Sequence, residues 1–240
     1  MRALCSQAMA LFMGMSGWAY SEWRGAFYPA AARGDRMLAY YAQHFASVEV
    51  NNTFYRLPSP ETVAGWCDLV PETFRFSFKA PGAITHRKRF GTPSDYLDRF
   101  AGLLTVVKSR LGPVLFQLDT VADVEQLREF ASHVRPRFER IAFEFRHASW
   151  YDEAVFDILR ASDIALCQTE TDDACDPPLG AREFSYVRLR KSAYSGDELA
   201  ERVARLEALT AGGRDVFGYL KHDVENAVLL RDLAATPPAG

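Results

Sequence analysis

The chain has 240 residues, of which 48% are apolar and 25% are charged, and its formal net charge is −3. This composition is typical of a globular protein with a sizeable core and excludes a disordered chain. No apolar run approaches the roughly 20 residues of a membrane-spanning helix, and no block of lysine and arginine predicts an extended nucleic-acid contact. Four scattered cysteines without CxxC spacing indicate reduced thiols, so we expect a cytoplasmic protein.

The first residues precede the first predicted strand. Gln7 interrupts the apolar stretch of residues 1–10, so this segment is predicted to be a ragged N-terminus rather than a secretory signal. We expect one domain over residues 11–236 and a short tail at 237–240.

Short apolar runs alternate with longer amphipathic runs along the rest of the chain, as they do in parallel sheets built from βα units. Eight strands are predicted, at residues 11–18, 47–54, 75–81, 112–118, 140–147, 164–170, 184–190 and 215–223. Helical periodicity lies between most of them, at residues 35–45, 94–110, 121–134, 152–162 and 195–213, and again near 224–234. The connection after the second strand is short, and TDDACDPPLGAR after the sixth has turn residues rather than a helical period.

Eight strands with helical crossovers predict an α/β fold, a TIM-like (β/α)8 barrel with some irregular or shortened βα units. No GxGxxG or GxxxxGK[ST] sequence follows the first strand, which argues against an open dinucleotide-binding sheet.

Alternation along the strands separates an apolar face from a polar one. The apolar face, predicted to lie under the helices, comprises Val48, Val50, Phe76, Phe78, Val114, Phe116, Leu118, Ile141, Phe143, Phe145, Val187 and Leu189. The face predicted to point into the barrel comprises Glu49, Asn51, Ser77, Lys79, Leu115, Gln117, Glu144, Arg146, Tyr186, Arg188 and Arg190. The eighth strand is ambiguous: if Tyr219 points inward, Lys221 and Asp223 do so too.

The polar residues are concentrated at the C-terminal ends of the strands, where barrels of this kind bind their substrates. Two carboxylates there meet three or four cationic side chains, so the mouth is predicted to be positive and to bind a small anionic ligand through arginine. The alternative is that Glu49–Lys79 and Glu144–Arg146 are buried ion pairs that only fill the core. Such pairs contribute little net stability, so we favour the ligand site.

Five stretches of this sequence resemble the YecE-like family, the domain-of-unknown-function family 72. They are GMSGWAYSEWRGAFYP, FASVEVNNTFYRLPSPETVAGW, FRFSFKAPGAITHRKRF, LGPVLFQL and AFEFRHASWY. The resemblance runs from about Gly14 to Asp223 and implies a TIM-like barrel, but the family has no established reaction. It implies characteristic polar positions at Ser16, Trp18, Tyr20, Trp23, Glu49, Asn51, Thr53, Phe54, Tyr55, Lys79, Thr85, His86, Gln117, Glu144, Arg146, His147, Ser149, Trp150 and Arg188.

Two positions depart from the family pattern. Arg190-Lys191 stands where many members have His-Gly, and Lys221-His222 stands where many have Asn-Asn. Both changes add positive charge or remove an amide at the mouth, which favours a more anionic ligand.

We therefore expect an enzyme, a hydrolase, lyase or isomerase, that acts on a small phosphorylated or carboxylated substrate by general acid/base chemistry. The predicted catalytic residues are Glu49, Glu144 and Lys79. The predicted substrate-binding residues are Arg146, Arg188, Asn51, Gln117, His86, His147, Trp18, Tyr20, Tyr55, Trp150 and Asp223. A Schiff base on Lys79 is less favoured, because Glu49 is expected to keep this lysine charged.

Two other classes of function stay open. His86, His147, Glu49, Glu144 and Asp223 could together bind a divalent metal, as in barrel isomerases and endonucleases; the nearby cations would repel it, so we predict no metal and no cofactor. A non-catalytic nucleotide or nucleic-acid binder would use the aromatic residues as a stacking platform, but inward carboxylates and the negative net charge disfavour it. No membrane partner is expected, and the sequence does not predict the oligomeric state.

Overall fold

Eight parallel strands close into a barrel in a computed structural model of the protein, which describes residues 10–86, 95–177 and 179–235. Each strand pairs with its neighbours in chain order, and the eighth pairs with the first. The strands are β1 (Leu11–Met15), β2 (Ser47–Val50), β3 (Arg75–Lys79), β4 (Leu111–Leu118), β5 (Ile141–Phe145), β6 (Ala165–Glu170), β7 (Phe184–Leu189) and β8 (Asp215–Leu220). The predicted TIM-like barrel is confirmed.

Helices lie in the connections between most strands. Those within the described residues are α1 (Asp35–Tyr41), α2 (Pro60–Asp68), α3 (Gly82–Thr85), α4 (Asp95–Leu104), α5 (Val124–Val134), α6 (Glu153–Ala161), α7 (Gly196–Ala211) and α8 (Val224–Ala235). Short 3₁₀ turns at Ser21–Trp23, Asn52–Phe54 and Ala148–Trp150 follow the ends of β1, β2 and β5. None of the described helices is long and apolar enough to cross a membrane.

Helix α2 was not predicted. It begins with a local signal, because the Ser59 side chain accepts a hydrogen bond from the Thr62 amide and Pro60 occupies the first turn. Only Val63 and Cys67 are buried, so its apolar stripe is too short to produce a helical period.

The connection between β6 and β7 has no helix in its described residues, as the turn residues predict. Thr171 donates its amide hydrogen to the Ala174 carbonyl, and Glu170 forms an isolated bridge with Cys175. One βα unit is therefore shortened.

The two faces of the strands belong to two separate cores. All twelve residues predicted to lie under the helices are buried in the outer core. A smaller inner core contains Leu115, Ala142, Ala165, Cys167, Ala181, Phe184, Tyr186, Phe217 and Tyr219. Strict alternation along each strand explains this separation, since successive side chains point to opposite faces.

Tyr219 lies in the inner core, which resolves the ambiguity of the eighth strand. Its hydroxyl donates to Ser77 Oγ at 2.7 Å and lies 2.6 Å from Ser47 Oγ. These hydroxyls form a polar layer inside the barrel that joins β2, β3 and β8. They provide hydrogen bonds for each other in a place that water does not reach.

The predicted ragged N-terminus and C-terminal tail fall largely outside the described residues. Residues 1–9 and 236–240 lie outside them, whereas residue 10 lies within. Ala10 donates its amide hydrogen to Asp215 Oδ1 at the start of β8.

The junction of β1 and β2 is completed by a side chain. Gly14 approaches β2 so closely that a Cβ atom would lie 1.8 Å from the Ser47 carbonyl oxygen. The hydroxyl of Tyr41 accepts from the Met15 amide at 2.7 Å and donates to the Ser47 carbonyl at 3.0 Å. Tyr41 is fully buried, so this hydroxyl satisfies two backbone groups that water cannot reach.

We expect Tyr41→Phe to lower the free energy of unfolding by about 1–3 kcal/mol, because it leaves those backbone groups unpaired. Urea denaturation followed by circular dichroism measures the change. The control is Tyr40→Phe, because the neighbouring Tyr40 hydroxyl makes no hydrogen bond within the described residues. Equal stability of the two variants would contradict a bridging role for the Tyr41 hydroxyl.

Candidate active site

Glu49, at the C-terminal end of β2, lies on the barrel axis side and is fully buried. Its Oε2 accepts from the Tyr186 hydroxyl at 2.8 Å. Its Oε1 accepts from Ser16 Oγ at 3.0 Å, Asn51 Nδ2 at 2.9 Å, Arg188 Nη2 at 2.8 Å and Arg190 Nη2 at 3.0 Å. Five donors from three segments of the chain therefore converge on one carboxylate.

Glu144, on β5, is also fully buried and is bonded in the same way. Its Oε2 accepts from Arg188 Nη1 at 2.6 Å and from Gln117 Nε2 at 2.7 Å. Its Oε1 accepts from Thr169 Oγ1 at 3.3 Å and forms an ion pair with Arg146 Nη2 at 2.8 Å. We use the name mouth cluster for these two carboxylates and the side chains around them. The cluster comprises Glu49, Glu144, Lys79, Gln117, Arg146, Arg188 and Arg190.

Arg188 joins the two halves of the mouth cluster. One of its terminal nitrogens bonds Glu49 and the other bonds Glu144, and its side chain is only 5% exposed. Burial alone would lower its pKa, but the two carboxylates raise the pKa of Arg188 well above its ordinary value. The guanidinium is thus a permanent positive charge between two strands that do not pair with each other.

The carboxylates are correspondingly permanent negative charges. Burial by itself would raise their pKa values, yet Arg188 and Arg190 hold the pKa of Glu49 well below its usual range. Arg188 and Arg146 lower the pKa of Glu144 in the same way. Both groups are ionised and fully hydrogen-bonded near neutral pH, which does not favour the predicted role of either as a proton carrier.

Lys79, at the end of β3, is bonded differently from the expectation. The predicted ion pair with Glu49 is absent among the described residues, because the guanidinium groups of Arg188 and Arg190 occupy that carboxylate. Instead Lys79 Nζ donates to Gln117 Oε1 at 2.8 Å and lies 4.2 Å from the centroid of the Phe54 ring. Burial and the neighbouring Arg188 lower the pKa of Lys79 to about 8.

His86 follows α3 beside Lys79 and is half-buried. Its Nε2 lies 3.2 Å from Asp119 Oδ2, and its Nδ1 lies 2.6 Å from Thr85 Oγ1. Burial lowers the pKa of His86 although Asp119 opposes the shift. The Phe54 ring packs against both His86 and Lys79, so these residues share one side of the mouth.

Tyr20 follows β1 and packs at the end of β8. Its hydroxyl donates to the Ser16 carbonyl, and its ring stacks on His222 with centroids 5.1 Å apart. Burial raises the pKa of Tyr20 to about 12, so its hydroxyl stays protonated near neutral pH. His222, which differs from the family pattern, thus places its imidazole against the ring of Tyr20.

Two of the predicted substrate-binding residues lie in buried packing contacts. Trp150 is fully buried, stacks on Phe145 at 4.9 Å and donates from Nε1 to the Thr120 carbonyl. Trp18 is 8% exposed and packs edge-on against Trp66. Sequence alternation could not place them, because both follow the ends of strands, where the chain leaves the regular pattern.

Three more predicted site residues lie away from the two carboxylates. His147 is exposed, and its Nδ1 accepts from the Ser149 amide, which caps a 3₁₀ turn. Tyr55 is 84% exposed and packs edge-on against Phe54. Asp223 Oδ2 lies 3.3 Å from Lys221 Nζ at the end of β8.

Sequence reasoning did not assign Tyr186 and Thr169 to the site, although each bonds a carboxylate. Alternation contains a signal for both. Tyr186 points inward with Arg188 on β7, and Thr169 lies two residues from the inward Cys167 on β6. Within the described ranges, no three His, Cys, Asp or Glu side chains converge in a way that could bind a metal ion.

Comparison with known proteins places this barrel among relatives of similar architecture. A family model described as "Protein of unknown function DUF72" matches residues 12–236. The UPF0759 protein YecE of Escherichia coli K12 is 32% identical over 108 residues, which are 45% of this chain and 37% of that protein. The UPF0759 protein YunF of Bacillus subtilis is 27% identical over an alignment of 158 residues, and the match covers 61% of this chain and 54% of that protein.

Solved structures agree with this fold. A DUF72 family protein from Thermotoga maritima superposes with a TM-score of 0.74 at 21% identity, and the match covers 94% of this chain and 99% of that one. One from Enterococcus faecalis gives 0.73 at 17% identity, covering 96% and 97%. The chain therefore spans nearly the whole of these two structures, but the matched regions span only about a third to a half of the two curated relatives.

We expect Arg188→Met to destabilise the fold by about 3–5 kcal/mol at neutral pH, because it leaves two buried carboxylates without their shared cation. Arg146→Met is the control: Arg146 pairs with the same Glu144 but is 44% exposed, so we expect a smaller loss. Urea denaturation of both variants measures the difference.

The effect of Arg188→Met is expected to depend on pH. In the wild type the depressed pKa values of both glutamates contribute stability above the unfolded-state pKa of about 4.3, and this stability is lost as the pH falls below it. The variant lacks most of that contribution, so the difference in stability from wild type narrows on acidification. A difference that is constant from neutral pH to about pH 3 would show that Arg188 acts through packing alone.

Proposed function

The chain belongs to the DUF72 family, and we propose that it is an enzyme that binds a small phosphorylated or carboxylated substrate at the C-terminal mouth of its barrel. The observation that carries this proposal is the charge of the mouth cluster. Lys79, Arg146, Arg188 and Arg190 surround two carboxylates, which leaves an excess of two positive charges when Lys79 is protonated. The whole chain has a net charge of −3, so this positive charge is local.

Arg146 is the side chain best placed to contact the substrate anion. It is 44% exposed, whereas Arg188 and Arg190 are 5% and 13% exposed. A guanidinium has five N–H donors, and the ion pair with Glu144 leaves donors of Arg146 free to bind a phosphate or carboxylate. Arg188 and Arg190 are more buried than Arg146 and contribute positive charge without contacting the substrate anion.

Proton transfer is better assigned to Lys79 than to the two glutamates. The pKa of Lys79, lowered to about 8, allows its amine to exchange a proton near neutral pH, whereas burial lowers the pKa of His86 and favours its neutral imidazole. Glu49 and Glu144 are positioning residues in this proposal, because they fix the guanidinium groups and stay ionised. The reaction classes that need only these groups are hydrolysis, elimination and isomerisation, with no obligatory cofactor.

The two alternative classes receive less support. The described residues bring together no three possible metal ligands, and His147, one of the residues considered for such a site, caps a turn. A stacking platform for nucleotides would need exposed rings, but Trp18 and Trp150 are buried in packing contacts. Among the described aromatic residues predicted to bind substrate, Tyr55 alone is largely exposed.

We expect inorganic phosphate, or members of a panel of phosphorylated and carboxylated metabolites, to raise the melting temperature of the wild-type protein. Arg146→Gln should weaken the binding of a hit by about 10-fold or more, because it removes a charged hydrogen-bond donor. Arg128→Gln is the control, since Arg128 is 61% exposed on the outer helix α5. An absence of stabilisation by any anion, or equal affinity of all three proteins, would contradict the anion site.

A further inference from the structure

We propose that Lys79 is a nucleophile that forms a Schiff base with an anionic aldehyde or ketone held at the mouth cluster. This inference rests on the proposed anion site and names the substrate class and the covalent step. It reverses the sequence-based preference, which expected Glu49 to keep the amine charged.

The amine of Lys79 has no carboxylate counter-ion within ion-pair distance among the described residues. None of the ion pairs among the described residues involves this lysine, and its hydrogen-bond partner is the neutral amide oxygen of Gln117. Gln117 uses its other end to donate to Glu144, so it separates the amine from that carboxylate. The remaining neighbour is the Phe54 ring, which gives a weaker interaction with a cation than a carboxylate would.

Burial and the charges that face Lys79 from the surrounding strands together favour the neutral amine. Burial has the largest effect; Arg188 on β7 and Arg146 after β5 also lower its pKa, while Glu144 and Glu49 raise it. His86 faces it from the end of α3, with Asp119 beyond. With a pKa of about 8, roughly half of the amine is neutral at pH 8, against well under 1% for an ordinary lysine.

The amine is also accessible and oriented. Lys79 is half-buried at the C-terminal end of a barrel strand, the end from which barrel enzymes reach their substrates. Gln117 holds its Nζ, while the exposed Arg146 lies on the adjacent side of Glu144. A small molecule whose anionic group binds Arg146 would thus bring a carbonyl carbon towards the amine.

The step balances without an oxidant or reductant. The nitrogen lone pair of Lys79 attacks the carbonyl carbon, and the carbon–oxygen bond breaks as the N–C bond gains double-bond character. The oxygen leaves as water, with one proton from the nitrogen and one from solvent. The product is a protonated imine, a sink for electrons from an adjacent carbon–carbon or carbon–hydrogen bond.

The test uses pyridoxal 5′-phosphate, an aldehyde with a phosphate group, on the intact protein with borohydride to reduce the imine. Peptide mass spectrometry then compares Lys79 with Lys191 and Lys221, which carry carboxylate partners. We expect Lys79 to be modified at least about 10-fold faster near pH 8, as its larger neutral fraction requires. Glyoxylate with cyanoborohydride, a smaller anionic aldehyde, is the second probe if the pyridoxal ring does not fit.

Two variants separate the covalent step from anion binding. Lys79→Arg keeps a positive charge, so stabilisation by phosphate should persist while no adduct forms at position 79. Gln117→Glu places a carboxylate beside the amine, which should raise its pKa and slow its modification by at least about 10-fold near pH 8. The rates at Lys191 and Lys221 serve as internal controls in each protein.

The outcomes distinguish the two proposals. Modification of Lys79 no faster than that of Lys191 or Lys221, with both probes, would overturn the Schiff-base inference, whatever the result for phosphate. Selective modification that phosphate does not slow would support the nucleophile and contradict the shared anion site. Selective modification that phosphate slows supports both.

Discussion

The mouth of this barrel depends on one buried guanidinium that bonds carboxylates from two distant strands. Arg188 on β7 contacts Glu49 on β2 and Glu144 on β5, and all three side chains are withdrawn from solvent. An isolated ion in such a place costs several kcal/mol, so none of the three is tolerable without the others. The three residues therefore act as one unit that ties opposite sides of the barrel together, in addition to the hydrogen bonds between neighbouring strands.

Neutral hydrogen-bonding groups complete this unit and also determine which group remains reactive. Tyr186 donates to Glu49, and Gln117 donates to Glu144, so the lone pairs of both carboxylates are occupied. Because Gln117 turns its carbonyl oxygen towards Lys79, the amine gains a hydrogen bond but no negative partner. The same contacts that make the glutamates permanent anions thus leave the lysine as the titratable group of the cluster.

Much of this arrangement could be predicted from period-two alternation. Phe143 and Phe145 lie in the outer core, while Glu144 between them points inward, as the pattern FEFR requires. The partners of each carboxylate could not be predicted, because the pairing of Arg188 with both glutamates depends on the register and curvature of the closed barrel. The lowered pKa of Lys79 follows first from its burial and then from the position of Arg188, which that pairing fixes. The burial of Trp150 could not be predicted for a related reason: the chain turns at the end of β5, where alternation no longer tells which way a side chain points.

The two ends of the barrel interior differ in polarity: the N-terminal end is apolar, whereas the C-terminal end holds the buried charges of the mouth cluster. Towards the N-terminal end the interior is filled by apolar rings, with Phe12 stacked on Phe217 at 4.8 Å. The ion pair nearby, between Arg140 and Asp215, is partly exposed, so water shares in its solvation. At the C-terminal end the carboxylates and Arg188 are almost fully desolvated, although apolar side chains of similar volume would fill the same space at equal or greater stability. Stability alone does not favour such a cluster. Fixed charges at this end of the barrel are instead what the proposed substrate-anion site requires.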